Sequence, residues 1–491
     1  MSALAISNIE VKSAYKKARL SRDARFDGIF FVGVKTTGIY CRPICPAVAP
    51  KEENIDYFDS ALAAASAGLR PCLRCRPESA PNSSAWKGTS TTFERAIYLI
   101  DQAVEKNEPL DLEHLSERLG ISSRYLRKLF NQQFGTSPKQ YMQYKQLLFA
   151  KQLLQQTSLP VTQVALASGF ASLRNFNQVF HQRLLLTPTQ FRKNSSLSNE
   201  SSSQLVIYMS YRPPYDWEHV RDFLALRLVE NMEWLPDEMS FAKSFCFDKM
   251  VGYFIAQCQP DSSRFKVSVY LSEESELNSL LTLLNNIRRM FDLDADMQQI
   301  EKGIAPLVKL GVSPKAGLRL VGTGNVFEAL CRAILGQQVS VKQAVKLLNV
   351  LVHHYGKKAT INGRDVLLFP EPTALLNSEF DEFKMPRARK LALKNIAEYF
   401  STVAEPSLDD CLNIKGIGPW TANYAKMRGQ GDPNIFLGGD LVIKNRLLAL
   451  LSETEPASEI TKKELNLIMD KCAQDVAPWG SYMTFQLWSL A

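Results

Sequence analysis

A chain of 491 residues is too long for a single hydrophobic core, and its hydrophobic share of 45% fits three or four globular domains. No apolar run approaches the ~20 residues of a membrane span, and Met1–Arg22 lacks a signal-peptide core, so no membrane partner is expected and the expected location is the cytoplasm. The net charge of +8 is uneven: residues 1–200 carry 26 basic and 16 acidic side chains, the remainder 32 and 34. A basic first part calls for a polyanion, whereas the rest must rely on local basic patches such as Arg387, Arg389, Lys390 and Lys394.

Nine cysteines are few for this length, and four of them form Cys41-x3-Cys45 and Cys72-x2-Cys75. In a reducing compartment, two such pairs a small-domain length apart favour zinc over disulfides. Spacing alone is equally satisfied by a purely structural zinc site. The flanks say more: Thr36–Pro43 and Gly68–Cys75 resemble the N-terminal domain of the Ada methyl phosphotriester repair protein. That resemblance implies one Zn2+ ion, structural and catalytic, on Cys41, Cys45, Cys72 and Cys75, with Cys41 as the methyl acceptor. Zinc keeps a thiol deprotonated near neutral pH, and the thiolate can attack a methyl group in line. The phosphodiester leaves, and its charge can be met by Arg42, Arg70, Arg74 or Arg76. The reaction is stoichiometric.

Two Ser/Asn/Pro-rich stretches, Pro81–Thr91 and Asn194–Gln204, read as linkers. Between them lies an internal repeat at a spacing of fifty residues. Phe130–Tyr141 aligns with Phe180–Phe191, and Ser122 and Arg124 with Ser172 and Arg174. Each copy reads as helix, turn, helix. Leu112, Leu115 and Leu119 form one apolar face before Gly120–Ser122; Val161, Val164, Ala165 and Ser168 form the other before Gly169–Ala171. The helices that follow begin with polar and basic residues, among them Arg124, Arg127, Lys128, Arg174, Asn175 and Asn177, which suits two recognition helices in major-groove segments. A helical packing module with solvated charges is the plainer alternative. The pattern resembles the AraC-type DNA-binding domain, which implies an operator and RNA polymerase as partners and DNA contacts from Arg124, Arg174 and Asn175.

After the second linker, Leu205–Met209 and Arg264–Tyr270 read as strands, and Glu218–Val229 and Leu277–Met290 as helices. Tyr211–Trp217 resembles the N-terminal domain of AlkA-type 3-methyladenine DNA glycosylases, a small α/β unit whose implied role is support. From Asp292 onward the pattern is nearly all helical. Phe327–Val341 reads as an amphipathic helix ending in a break, and Met385–Lys390 as a basic turn. The former resembles the helix and wedge loop that insert into DNA in the AlkA family; the apolar wedge position matches Gln338, preceded by Gln337. A polar wedge can still fill the gap but loses apolar stacking.

The stretch from Ile414 to Arg446 carries the chemistry. A helix ends at Ile414, Lys415–Gly418 is a hinge in which Gly416 and Gly418 can take positive φ, and Pro419 suits a first helical turn. Backbone N–H groups there can meet a phosphate. A Gly-rich loop with Gly438 and Gly439 follows, then a lone carboxylate, Asp440, opening the next helix; an ordinary hairpin with Asp440 as N-cap fits the same letters. The stretch resembles the helix-hairpin-helix/Gly-Pro-Asp motif of base-excision glycosylases. That implies phosphate contacts at Gly416 and Gly418, a monovalent cation at the hairpin, catalysis by Asp440, and a base pocket of Trp420, Tyr424 and Trp488. Strand-cutting relatives carry a lysine where Trp420 stands, so a monofunctional enzyme is expected. The acidic residue common before the catalytic aspartate is here Gly439.

The expected fold class is multidomain, mainly α with α+β parts. Residues 1–80 would be a zinc-binding methyl-acceptor domain and 91–194 a double helix-turn-helix. Residues 204–291 would form a small α/β domain and 292–491 an all-helical glycosylase domain. The expected function is methyl-accepting regulation joined to excision of alkylated purines of the 3-methyladenine and 7-methylguanine type. Its partners would be duplex DNA bearing alkylated bases or methyl phosphotriesters, in a bacterial, nucleoid-associated setting. The competing readings are a methylation-responsive activator whose glycosylase half only binds DNA, and a repair enzyme whose zinc is structural.

Overall fold

The computed structural model describes residue 6 and residues 9–22, 26–78, 89–193, 204–310, 312–454 and 461–490. Most of both expected linkers, 81–88 and 194–203, lies outside the described residues; Thr89–Thr91 instead begins a helix and Gln204 begins a strand. The chain divides into two compact units, one of residues 1–102 and 110–142, the other of 103–109 and 143–491. Among the described residues, no helix is long and apolar enough to cross a membrane.

The first unit opens with a helix, Ile9–Ser21, and a four-stranded sheet in the order Ile55–Phe58, Phe31–Val34, Ile39–Cys41, Arg70–Pro71. Tyr15 stacks on Phe30 at 4.0 Å, and Phe30 meets Tyr57 edge-on, so the helix is fastened by rings. Gly33 is needed on its strand: a Cβ there would lie 2.4 Å from Leu69 and 2.6 Å from Phe58. The last two strands pair in parallel, which sets Cys41 beside the turn that carries Cys72 and Cys75. The helices Thr89–Glu105, Leu112–Leu119 and Ser123–Phe134 follow.

In the second unit, Val161–Ala167 and Leu173–Leu184 form another helix-turn-helix, and Pro188–Lys193 follows. A five-stranded antiparallel sheet comes next. We number its strands from the first sheet onward: β5 (Gln204–Ser210), β6 (Glu233–Trp234), β7 (Ser240–Phe247), β8 (Met250–Gln259) and β9 (Arg264–Leu271), in spatial order β5-β9-β8-β7-β6. The central strands β7 and β8 escape the sequence reading because the first six residues of β7 are all buried, so no in–out alternation marks it. The helix after Tyr211–Trp217 runs Trp217–Ala225 and stops short of the expected Val229; the helix expected at Leu277 begins as a 3-10 turn and is α-helical over Leu280–Met290.

The helical part also departs from its sequence pattern. A hairpin, Lys358–Ile361 with Arg364–Leu367, interrupts it. The helix Val326–Gly336 is not amphipathic in place: it is buried on nearly every side, as the central helix of a bundle. Met385–Lys390 is no basic turn. A helix Arg387–Thr402 starts there, and Arg389 is buried within it, so the exposed patch loses that residue.

Asp292 joins the sheet domain to the last helix. Its Oδ2 accepts the Tyr482 hydroxyl at 2.8 Å and the Leu320 amide at 3.1 Å. Burial pushes this carboxyl up to about 6, against the pull of those two hydrogen bonds. A raised acid favours the folded state most while protonated, so its contribution is fully present below about pH 4 and is lost as pH rises through about 6. Asp292→Asn is therefore expected to match wild type in stability near pH 4 and to exceed it by about 1–2 kcal/mol at pH 8. Urea unfolding across that range checks this; a pH-independent difference would refute it.

Candidate functional site

Four sulfurs form the first site. The ligand atoms of Cys41, Cys45, Cys72 and Cys75 lie within 4.8 Å of one another, and Cys45 Sγ is 3.9 Å from Cys72 Sγ. Tetrahedral zinc with bonds of ~2.3 Å would separate its sulfurs by ~3.8 Å, so the donor set fits that ion. Cys72 and Cys75 are buried, whereas Cys41 and Cys45 are half-buried and open onto a cleft of about 450 Å³ also lined by Arg19, Arg22, Arg70 and Arg74.

One expected phosphate ligand is corrected. Arg42 is 5% exposed and turned inward; it forms an ion pair with Asp27 and donates to the Cys75 carbonyl at 3.2 Å. Its backbone N–H donates to Cys75 Sγ at 3.3 Å. The guanidinium braces the cysteine-bearing loop, while Arg70, Arg74 and Arg76 remain exposed.

The repeat in the middle region is also a repeat of hydrogen bonds. Ser122 Oγ accepts from Tyr125 N and Ser172 Oγ from Asn175 N, each at 3.2 Å. Gln140 Oε1 accepts from Ser137 N at 3.0 Å as Gln190 Oε1 does from Thr187 N at 2.9 Å. Phe130 and Phe180 are fully buried, whereas Arg124, Arg127, Lys128, Arg174, Asn175, Asn177 and Gln178 are exposed on the second helix of each copy.

The third site is built around the hairpin. Gly416 takes φ +97°, and a Cβ there would strike Ala392 at 2.7 Å. Gly418 does not take positive φ: at φ −95° it is the extended N-cap of helix Pro419–Ala425. That helix runs on as a π-helical turn, Lys426–Gln430, which includes the buried Gly429. Gln337 donates to Thr421 Oγ1 at 3.0 Å and the Gly416 carbonyl at 3.3 Å. Gln338 is exposed at the break between two helices, at φ +54°.

Trp420, Tyr424, Trp488 and Asp440 are all half-buried and line one cavity of about 370 Å³. Trp420 and Tyr424 stack at 5.3 Å, and Tyr424 and Trp488 are tilted at 6.4 Å. Asp440 splits its carboxylate. Oδ1 accepts from the Val442 and Ile443 amides as an N-cap, and Oδ2 accepts the Trp420 indole N–H at 3.2 Å. The plain reading of Asp440 as an N-cap thus holds.

The sequence reading missed the far wall. Phe223 on the helix Trp217–Ala225, with Leu226 and Arg227 just after it, lines the cavity together with Arg332 and Arg428. Their spacing offered a weak signal: Phe223 and Arg227 are four apart and follow the Tyr211–Trp217 segment.

These features together define a DNA repair glycosylase joined to a zinc-binding module and a helix-turn-helix DNA-binding region. Comparison with known proteins agrees part by part. Residues 14–78 match the metal-binding domain of Ada, residues 115–194 a helix-turn-helix domain, and residues 206–325 the AlkA N-terminal domain. The probable bifunctional transcriptional activator/DNA repair enzyme AlkA of Mycobacterium tuberculosis (strain ATCC 25618 / H37Rv) is 30% identical over 96% of this chain and 95% of its own length. DNA-3-methyladenine glycosylase 2 of Escherichia coli (strain K12) is 30% identical, covering 57% of this chain and 95% of its own. The bifunctional transcriptional activator/DNA repair enzyme AdaA of Bacillus subtilis (strain 168) is 32% identical, covering 37% and 82%. The chain belongs to the family of bifunctional transcriptional activator/DNA repair enzymes of the AlkA type. DNA is its partner.

Because Trp420 both walls the cavity and holds Asp440, its two roles can be separated. Trp420→Phe keeps a ring and removes the N–H, and is expected to slow base release about tenfold, the worth of one hydrogen bond to a charged group. Single-turnover excision checks this; an unchanged rate would make the Asp440 contact incidental.

Proposed function

We propose that this chain excises alkylated purines of the 3-methyladenine and 7-methylguanine type, accepts methyl groups from DNA phosphotriesters on Cys41, and answers that methylation as a transcription activator. We also propose the four-part division at 1–80, 91–194, 204–291 and 292–491. The observation that carries the excision reading is the aromatic cavity that ends on Asp440.

A glycosylase must extrude the nucleotide before acting on it. The break at Gln338 would fill the vacated stack, with Gln337 fixing that loop to the hairpin. Backbone N–H groups at Gly416 and Gly418 would meet a phosphate beside the lesion. Trp420, Tyr424 and Trp488 would stack on the base, each contact worth ~1–3 kcal/mol. As the glycosidic bond breaks, Asp440 would offset the positive charge on the sugar and orient or deprotonate water. With Trp420 in place of a lysine there is no amine to cut the strand, and an abasic site remains. A monovalent cation at the hairpin would have to share the Lys415 and Gly416 carbonyls, which already accept from Asn395 and Gln337.

On the regulatory side, Cys41, Cys45, Cys72 and Cys75 would hold one zinc ion, whose charge keeps the sulfurs deprotonated. Cys41 Sγ would form a bond to the methyl carbon while the carbon–oxygen bond breaks. The electron pair leaves on the phosphate oxygen, and the exposed Arg70, Arg74 and Arg76 would meet that charge. Arg124, Arg174 and Asn175 would then contact the operator, next to RNA polymerase, in a cytoplasmic, nucleoid-associated setting.

Base release from N-methylpurine duplex by the purified chain tests the excision reading directly. Asp440→Asn keeps a capping oxygen for the helix, so binding to abasic-site DNA should survive while release falls at least about a hundredfold. Release within about tenfold of wild type would remove Asp440 from the chemistry.

The switch has an electrostatic size. A zinc with four thiolates carries a formal charge of about −2, and methylation of Cys41 makes it about −1. At ~7 Å and an effective dielectric of ~20, one charge facing a phosphate is worth ~2 kcal/mol before screening. Methylated full-length protein should therefore bind its operator roughly tenfold or more tightly, with the gain fading as salt rises. Equal affinity at low salt would leave Cys41 with no switching role.

A further inference from the structure

The second helix-turn-helix shares its core with the α/β domain. Its buried Val164, Phe176 and Phe180 belong to the same apolar cluster as Ile207 of β5 and Leu280 and Leu284 of the helix Leu280–Met290. The helix Val161–Ala167 packs directly on the turn Leu277–Ser279. A module joined to its neighbour only by a linker closes a core of its own instead.

The polar atoms at this junction are matched as well. β5 is an edge strand of its sheet, and an edge leaves backbone amides unpaired. Gln156, at the end of the helix Pro138–Gln156, accepts from the Tyr208 amide through Oε1 at 2.9 Å. At Glu105 a helix ends, which leaves its last carbonyls without donors of their own helix. The Thr282 hydroxyl donates to the Glu105 carbonyl at 2.7 Å, and Arg289 pairs with the Glu105 carboxylate at 3.3 Å. Just beyond, Asn107 donates to the Leu166 carbonyl at 3.2 Å, so the segment that meets the α/β domain also holds the helix packed on it. Two atoms that secondary structure leaves open thus find their partners across the junction.

This docking leaves the reading face free. The contact is made by the first helix of the pair. The second, which such motifs lay in the major groove, turns Phe176, Val179 and Phe180 inward and keeps Arg174, Asn175, Asn177 and Gln178 exposed.

We propose that the second helix-turn-helix serves the excision reaction as well as the operator: held on the α/β domain in one orientation, its helix Leu173–Leu184 grips duplex DNA on one fixed side of the lesion. The inference rests on the excision activity proposed above and adds a DNA-holding surface to it. Because the orientation is fixed, the binding energy of this helix is gained only where the duplex extends to meet it.

The test uses the full-length protein and three duplexes, each with a single 7-methylguanine: a core of about 12 base pairs, and the same core lengthened by about 20 base pairs on one side of the lesion or on the other. Single-turnover release against protein concentration gives the half-saturating concentration for each. In wild type, lengthening one side should lower that concentration about tenfold, and lengthening the other should change it by less than about threefold. A loosely tethered module would gain from both sides alike. Arg174→Ala should cancel the one-sided gain. The docking itself is read by hydrogen exchange of the full chain, where Gln156→Ala should speed exchange of the Tyr208 amide. Equal gains from both sides, a gain from neither, a one-sided gain that survives Arg174→Ala in full, or unchanged Tyr208 exchange overturns the proposal. No base release by wild type from any of the three duplexes would instead overturn the excision activity beneath it.

Discussion

Lys243, Glu233, Glu328 and Arg332 are four charges shut away from water, and the architecture of the repair half depends on their being together. Lys243 stands on β7 and reaches Glu328 on the central helix at 2.6 Å, Glu233 at 3.0 Å and the Thr323 carbonyl at 2.7 Å. Burial pushes the Glu233 carboxyl up, yet Arg332 and Lys243 outweigh it and hold it down at about 2. Such a set need not outperform well-packed hydrophobic residues, but deleting one member strands the others and costs ~3–5 kcal/mol. Its effect is therefore on geometry: it fixes the sheet against the helix Val326–Gly336 in one arrangement. That arrangement presents Arg332 to the cavity and sets Phe223 and Arg227 opposite Trp420.

The cavity inherits two properties from this frame. One wall comes from the hairpin side, with Trp420, Tyr424 and the carboxylate of Asp440. The other comes from the helix Trp217–Ala225 and the residues that follow it. Asp440 is held at both ends, by backbone amides at one oxygen and by an indole at the other. A carboxylate so placed has little freedom to reorganise, which is the condition under which a fixed charge stabilises a developing one best. The glycine before it imposes no such restraint, since a Cβ at Gly439 would meet nothing within 4 Å.

The DNA-binding and metal parts are organised more locally. Each helix-turn-helix is closed by a serine cap at the start of its second helix and by a glutamine at the start of the helix that follows. The zinc-type site depends on a parallel strand pair and on Arg42, whose charge is spent on Asp27 and the Cys75 carbonyl. Arg42 shows how an arginine next to a cysteine of such a cluster can serve the loop's shape.

What the sequence by itself determined are the features written in a few consecutive residues. The four cysteines, the fifty-residue repeat, the turn at Gly416 and the carboxylate after a Gly-rich loop all depend on short-range geometry: metal-ligand spacing, an N-cap hydrogen bond, a positive φ. What only the tertiary structure decided are the features that need partners far apart in the chain. β7 is buried through its first six residues and so carries no alternation to read. Arg42 looks like a phosphate ligand until Asp27 folds against it, and Gln337, the residue before the wedge position, is tied to the hairpin through Thr421. Arg332 is the clearest case: Glu328 lies one turn before it on the same helix and can be read locally, whereas its second partner, Glu233, is 99 positions away and is brought to it only by the fold. Charge balance in a buried site is a property of packing, because the energy of each ion is set by neighbours that only the fold brings within reach.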